Sequence, residues 1–347
     1  MERAALFLEE CSGGIIRCNL CPRCCAIPGG ALGACGVRGN KNGTGLLPFY
    51  GRVTALAVDP IEKKPLYHYR PGSMILSAGF CGCNLRCPFC QNWRISQSAD
   101  AAVRQMQPGD IVSAALHEDS LAIAYTYSEP LVHIEFLLDC MALAHRHGIA
   151  NVLVTNGCAN GEAAREILAL TDAANIDLKC FSAATYTDTL GGTKNALETV
   201  LEFIRTACAM GVHVELTTLV VPGLNDSSEE LDACAGFVAS LGQIPWHLSA
   251  YHPDYHWNAP PTDSALLLAS ARRARGKLSY VYTGNISGGE NSTVCPHCGA
   301  TLVRRRGYQT DVSGLAAPVE GERFYRCARC GEQTPISHDI DENRNIG

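Results

Sequence analysis

Cys83, Cys87 and Cys90 stand in C-x3-C-x2-C spacing within GCNLRCPFCQNW, directly after an apolar run that reads as a strand. A tight loop of this spacing turns three thiolates toward one [4Fe-4S] cubane and leaves the fourth iron without a protein ligand. An open iron can chelate the amino and carboxylate groups of S-adenosylmethionine (SAM). An electron delivered there can pass to the sulfonium and break a C–S bond. The cofactor carries that chemistry, while the protein positions it and excludes side reactions. Zinc is the competing reading, but three cysteines leave a structural zinc one ligand short. Cys81 is too close to Cys83 in sequence to supply the fourth comfortably.

Two more cysteine sets flank this loop. Near the C-terminus, Cys295-Pro-His-Cys298-Gly and Cys327-Ala-Arg-Cys330-Gly form two C-x-x-C knuckles. Four such thiolates suit a zinc ribbon, and rubredoxin-type iron uses the same geometry. A short tail with few large apolar side chains needs such a staple to fold. Near the N-terminus stand Cys18, Cys21, Cys25 and Cys35, with Cys24 as an alternative to Cys25. That set leaves a structural zinc and a second iron–sulfur cluster open. The scattered Cys140, Cys158, Cys180, Cys208 and Cys234 read as small core residues.

The elements that must position these groups alternate in type. Strands are expected at 73–80, 121–127, 151–157, 175–180, 213–221 and 246–251, with a short one at 280–284. Helices are expected near 109–118, 131–147, 161–170, 194–210, 227–240 and 263–276, several closed by glycine. Six β-α units in succession predict an α/β fold with a parallel sheet, a partial (β/α)6 barrel of TIM-like type. Three segments follow: a Cys-rich N-terminal extension (1–70), the barrel core (71–290) and the ribbon-like tail (291–347).

Functional residues of such barrels collect where strands end. Ser128 and Glu129, Thr155 and Asn156, Asp177 and Lys179, Asn225 and Asp226, and His252 stand at consecutive strand ends, and so form a ring at one mouth. DPIEKKPLYHY precedes the barrel and carries Asp59, Glu62, Lys63, Lys64 and His68. It reads either as a solvated linker or as a strap bringing Lys63, Lys64 and His68 over the mouth.

Composition removes several classes. The chain has 347 residues, 47% hydrophobic, with a formal net charge of -6, so nothing draws it as a whole to nucleic acid or anionic lipid. The run Arg304-Arg305-Arg306 is a local exception that reads as a solvated face. The N-terminal MERAALFLEECSGG lacks the basic start and apolar stretch of a secretory signal, and no run is long enough to span a bilayer. A cytoplasmic location is expected. Nineteen cysteines then read as metal ligands and core residues, not as disulfides.

The motif filled by Cys83, Cys87, Phe89 and Cys90 resembles the radical SAM signature. The stretches CNLCPRCC, GACGVR, DPIEKKPLYHY, YTYSEP, TNG, IDLK, VVPGLND and YHPDY, in this order, resemble the branch related to pyruvate formate-lyase-activating enzyme. Within it, they are most similar to the AmmeMemoRadiSam-system group. The resemblance runs from about Cys18 to Cys330. It implies that Phe89 packs near the SAM adenine and that Asn92 helps orient the cofactor. By the same likeness, Ser128 and Glu129 meet the methionine amino group. Asp177 and Lys179 match the Asp-Leu-Lys element, the lysine pairing with the SAM carboxylate, and His252 lies near the sugar or the methionine. One departure stands out: Val154 replaces the acidic residue of the activating enzymes, which moves ribose contact to Asn156 or elsewhere.

The resemblance also implies a flavodoxin or ferredoxin electron donor and AmmeMemoRadiSam-system partners. Hydrogen abstraction from a protein or peptide is the expected reaction, with a small metabolite as the alternative substrate. Segment 94–110 lacks the accessory cysteines that the activating enzymes often carry after the cluster loop, which argues against a plain activase. A metal-sensing or nucleic-acid-binding ribbon protein fits least, because the ribbon is small beside the core.

Overall fold

β-branched and alanine-rich runs build one nine-stranded sheet in the computed structural model, which describes residues 5–98, 101–288, 291–319 and 322–338. The end of the tail, 339–347, thus lies outside the described residues. The parallel strands are Met74–Phe80, Ala122–Thr126, Ala150–Thr155, Ala173–Asp177, His213–Val220, Trp246–Ala250 and Val281–Gly284, each paired to the next. Helices Pro108–His117, Ile134–Arg146, Gly161–Ala169, Ala196–Ala209, Ser228–Ser240 and Ser264–Ala274 make the crossovers. First and last parallel strands do not pair among the described residues, so the barrel is open, as expected. Sequence chemistry sets the ends: Ser227 and Asp263 accept backbone hydrogen bonds as N-caps, and Gly148 and Gly211 stop helices at φ +70° and +73°.

Three elements differ from expectation. The strand Arg52–Pro60, where the sequence reading placed no element, pairs antiparallel with Met74–Phe80 and carries the short strand Arg104–Gln105 on its outer side. The main sheet therefore draws on the N-terminal 70 residues. The strand expected to reach Cys180 ends at Asp177, and a helix over Ala183–Asp188 follows. The helix expected from 131 begins as a 3-10 turn, Pro130–His133, because the Glu129 carboxylate accepts from Leu131 N.

The barrel interior explains the alanines. Ala122, Ala124, Ala150, Val152 and Ala173 pack against Ile61, Leu66 and Tyr69, so small inward side chains make room for the 61–69 segment. That segment is no solvated linker: Asp59, Glu62, Lys64 and His68 are all buried. His68 is also a correction to the expected strap over the mouth. Its backbone N donates to Glu215 Oε1 at 2.7 Å, and its ring shares a 2.6 Å hydrogen bond with Tyr282 at the closed end.

The tail covers this closed end. Arg305 is buried over the Tyr67 ring (4.2 Å) and donates to Tyr67 O, while Ser337 N donates to His68 O at 2.8 Å. The solvated reading thus holds for Arg304 and Arg306 and fails for Arg305, whose charge lies 3.8 Å from Glu62. No helix of the described residues is long and apolar enough to cross a membrane.

Candidate active site

The strand Met74–Phe80 delivers the chain to the cluster loop at the mouth, where the backbone is tightly held. Gly82 has φ +79°, and a Cβ there would stand 2.6 Å from Cys35 O, so only glycine fits. Gly82 N donates to Ile95 O (3.0 Å) and Arg86 N to Leu190 O (2.7 Å). Leu85 N (3.4 Å) and Asn156 Nδ2 (3.7 Å) point at Cys83 Sγ, while Cys90 Sγ meets Ser96 Oγ at 3.2 Å. Burial pushes the Cys83 thiol well above its usual range and the Cys87 thiol up to about 11. As free thiols they therefore hold their protons, which a bound cation has to displace.

All three cysteines line one cavity of about 410 Å³ at the C-terminal ends of the strands. Phe89, Asn92, Ser128, Glu129, Asn156, Asp177 and Lys179 line it too, so the structure brings together most of the expected ring. Glu129 is buried and accepts from Thr155 Oγ1 (2.6 Å), Asn156 N (2.8 Å) and Leu131 N (3.1 Å). Burial still pushes its carboxyl up to about 7, with Asp177 adding to the rise. Lys179 Nζ pairs with Asp177 at 2.9 Å. Burial works against its charge, yet the Asp177 carboxylate holds it well above the usual lysine range.

Other expected residues are turned elsewhere. Ser128 Oγ donates to Phe80 O (2.7 Å). Asn156 donates to Asn84 Oδ1 and accepts from Cys158 N, both at 2.8 Å, so its amide also braces the cluster loop. Asn225 clamps the loop by donating to Lys179 O (2.6 Å), and Asp226 accepts from Gly223 N, away from the cavity. His252 is exposed at the rim, where Gln91 Nε2 donates to it at 2.8 Å. Phe89 meets Trp257 edge-on at 6.4 Å, and Asn92 Nδ2 donates to Tyr127 O at 2.6 Å.

Sequence reading missed two contributors and the partners of a third. Lys64 was placed near the mouth, but not its partners: it pairs with Asp59 at 2.7 Å and lies over the Tyr127 ring, whose hydroxyl donates to Asp59. Tyr127 itself sits at φ +70°, a strained strand end that no pattern announces. Thr217 Oγ1 is buried in the cavity lining without a partner among the described residues. Its only signal was a threonine among the apolar residues of its strand.

The match to a known family comes at this loop. Residues 79–234 match the model of the radical SAM superfamily. An uncharacterized protein of Methanocaldococcus jannaschii is 40% identical over 342 residues, covering 96% of this chain and 99% of that relative. The chain belongs to the radical SAM superfamily. Pyruvate formate-lyase-activating enzyme of Clostridium pasteurianum is 26% identical over 170 residues, 48% of this chain and 69% of the relative. A solved domain of such an activating enzyme from Bacteroides vulgatus matches with a TM-score of 0.40 at 21% identity, covering 47% of this chain and 99% of that one.

Radical SAM enzymes use a [4Fe-4S] cluster with SAM and commonly take electrons from flavodoxin or ferredoxin. The residues here fit that pair of cofactors. Three thiols share one loop, a cavity adjoins them, and the unpartnered Thr217 hydroxyl faces it. In the tail, Cys295–Cys330 and Cys298–Cys327 sulfurs lie 3.8 and 3.7 Å apart, and all four within 4.8 Å of one another. A tetrahedral metal with ~2.3 Å metal–sulfur bonds sets its sulfurs about 3.8 Å apart. The tail can therefore hold a single metal ion.

Proposed function

We propose that this radical SAM enzyme directs its chemistry at a protein or peptide substrate, as an activase does. The cluster with SAM supplies one-electron cleavage to a 5′-deoxyadenosyl radical and methionine. The chain's own residues bind and orient. Cys83, Cys87 and Cys90 hold the cluster, Lys179 pairs with the SAM carboxylate, and the ionised Glu129 takes the methionine amino group. Phe89 packs toward the adenine, with Asn92 and His252 at the rim.

The observation that carries the substrate reading is the aromatic rim. Trp93, next to the lining residue Asn92, stacks on Tyr255 at 5.2 Å, and Trp257 meets the lining residue Phe89 edge-on, so half-buried aromatic rings adjoin the cavity and suit an extended chain. A small anionic metabolite is the second reading, favoured by Lys63, which lines the cavity and is 48% exposed. Partners from the AmmeMemoRadiSam system and a zinc ion in the tail belong to the same proposal. Deuterium transfer tests it. Candidate peptides or metabolites labelled at the abstracted C–H should pass deuterium into 5′-deoxyadenosine. Transfer from a small metabolite with none from any peptide would overturn the peptide reading.

A further inference from the structure

We propose that Cys18, Cys21, Cys25 and Cys35 hold a second [4Fe-4S] cluster, ligated by four protein thiolates and set against the back of the first cluster's loop. This rests on the reading that Cys83, Cys87 and Cys90 carry the first. The four cysteines come from separate turns yet line one pocket. Cys18 closes the strand Ile15–Cys18, and its N donates to Cys25 O at 2.9 Å. Cys24 N donates to Cys21 O, and Cys35 sits in the turn closed by Gly36 N on Gly33 O. Cys24, the alternative ligand, is exposed at φ +44° and does not line the pocket.

Buried guanidinium groups line the same pocket. Arg38 is 1% exposed, pairs with Glu135 at 2.8 Å and faces Cys18, and the Nε atoms of Arg38 and Arg23 are buried without a hydrogen-bond partner among the described residues.

Spacing separates a cluster from zinc. Among the described residues, only the tail cysteines bring three or more ligand atoms within 4.8 Å of one another. No three sulfurs of the N-terminal set do so, and neither do those of Cys83, Cys87 and Cys90. A cubane caps each iron with a different cysteine, which holds the sulfurs roughly 6 Å apart, against about 3.8 Å around one zinc. Like the cluster loop, and unlike the tail, the N-terminal set does not gather its sulfurs around the position of a single ion.

The two sites are one side chain apart. Asn84 lines the N-terminal pocket, while its Oδ1 lies 4.0 Å from Cys83 Sγ and accepts from Asn156. The outer cysteines are part-exposed. A reduced flavodoxin- or ferredoxin-class donor thus gives one electron to the outer cluster, taking it from 2+ to 1+. That electron then reduces the inner cluster from 2+ to 1+, and the outer one returns to 2+.

The test uses full-length protein carrying Cys83→Ala, Cys87→Ala and Cys90→Ala, reconstituted anaerobically with iron and sulfide. Retention of about four irons and four sulfides per chain, with a dithionite-reduced electron paramagnetic resonance signal that SAM leaves unchanged, is expected. Wild type should hold about eight irons and show spin–spin broadening between the neighbours. Should the triple variant fail to fold, Cys21→Ser with Cys25→Ser on the wild-type background should lower iron from about eight to about four. Zinc in place of iron at the N-terminal set, or no metal there, would overturn the proposal. Four irons in both wild type and the triple variant would leave it standing and instead remove the first cluster.

Discussion

Glu129 at the barrel mouth and Glu215 at its closed end are both fully buried glutamates, and their surroundings drive them in opposite directions. Burial pushes the Glu129 carboxyl up to about 7, because its partners are neutral donors and the nearby charge is another carboxylate, Asp177. Burial opposes ionisation at Glu215 as well, but His213 (3.1 Å) and His247 (2.7 Å) hold it well below the usual carboxylate range. Around Glu215 the 61–69 segment, Tyr282 and the tail close every approach. Glu129 instead faces an open cavity. One glutamate is held by two imidazoles, and the other by neutral donors at the edge of a cavity. Similar residue types at the two ends of one sheet thus divide into structure and site by what covers them.

The largest expected effect lies at the closed end. Glu215→Leu leaves His213, His247 and the His68 amide without their shared acceptor, and should cost about 3–5 kcal/mol in urea unfolding. Glu129→Gln should cost far less stability. Equal losses at the two positions would remove the distinction drawn between them.

At the mouth, Lys179→Met should weaken SAM binding. A partly buried charge-assisted hydrogen bond contributes ~1.5–3 kcal/mol, or roughly ten- to a hundredfold in Kd. Iron content and melting midpoint should stay near wild type, since no cluster ligand is touched. Unchanged SAM affinity would remove the assigned pairing. A lowered melting midpoint with lost iron would make the Lys179–Asp177 pair structural.

The third effect is in pH. Folded Glu129 holds its proton up to about 7, above the ordinary value, so its contribution to unliganded stability is lost as pH rises toward 7. Glu215 is depressed, so its contribution is lost as pH falls through the acid range. SAM's amine, bound to the open iron, keeps N–H groups that donate most strongly to ionised Glu129. SAM affinity should therefore rise with pH through about 7, and Glu129→Gln should flatten that rise. A pH-independent affinity in wild type would contradict the amino-group role.

Much of this was legible in the sequence. The parallel strands announce themselves as apolar runs, and the cluster loop by spacing that few other structures need. What stayed hidden depends on contacts distant in sequence. His68 sits among lysines and reads as exposed, yet its backbone donates to Glu215, 147 residues away. Arg305 reads as one of three solvated arginines until Tyr67 and Glu62 are placed beneath it. The strand Arg52–Pro60 escaped because burial along it does not alternate cleanly, as edge position and a register shift allow. Asn156, assigned to a cofactor from its place after a strand, also donates to Asn84 in the cluster loop and accepts from Cys158 N in its own turn, contacts that no pattern announces.

The central claim is that Cys83, Cys87 and Cys90 hold the cluster that cleaves SAM, and one measurement tests it most directly. Anaerobically reconstituted protein, reduced with dithionite and given SAM, should produce 5′-deoxyadenosine and methionine in equal amounts. Cys87→Ala should abolish that product while the chain stays folded, because the cluster loses one of its only three protein ligands. Wild-type turnover by Cys87→Ala would contradict the account.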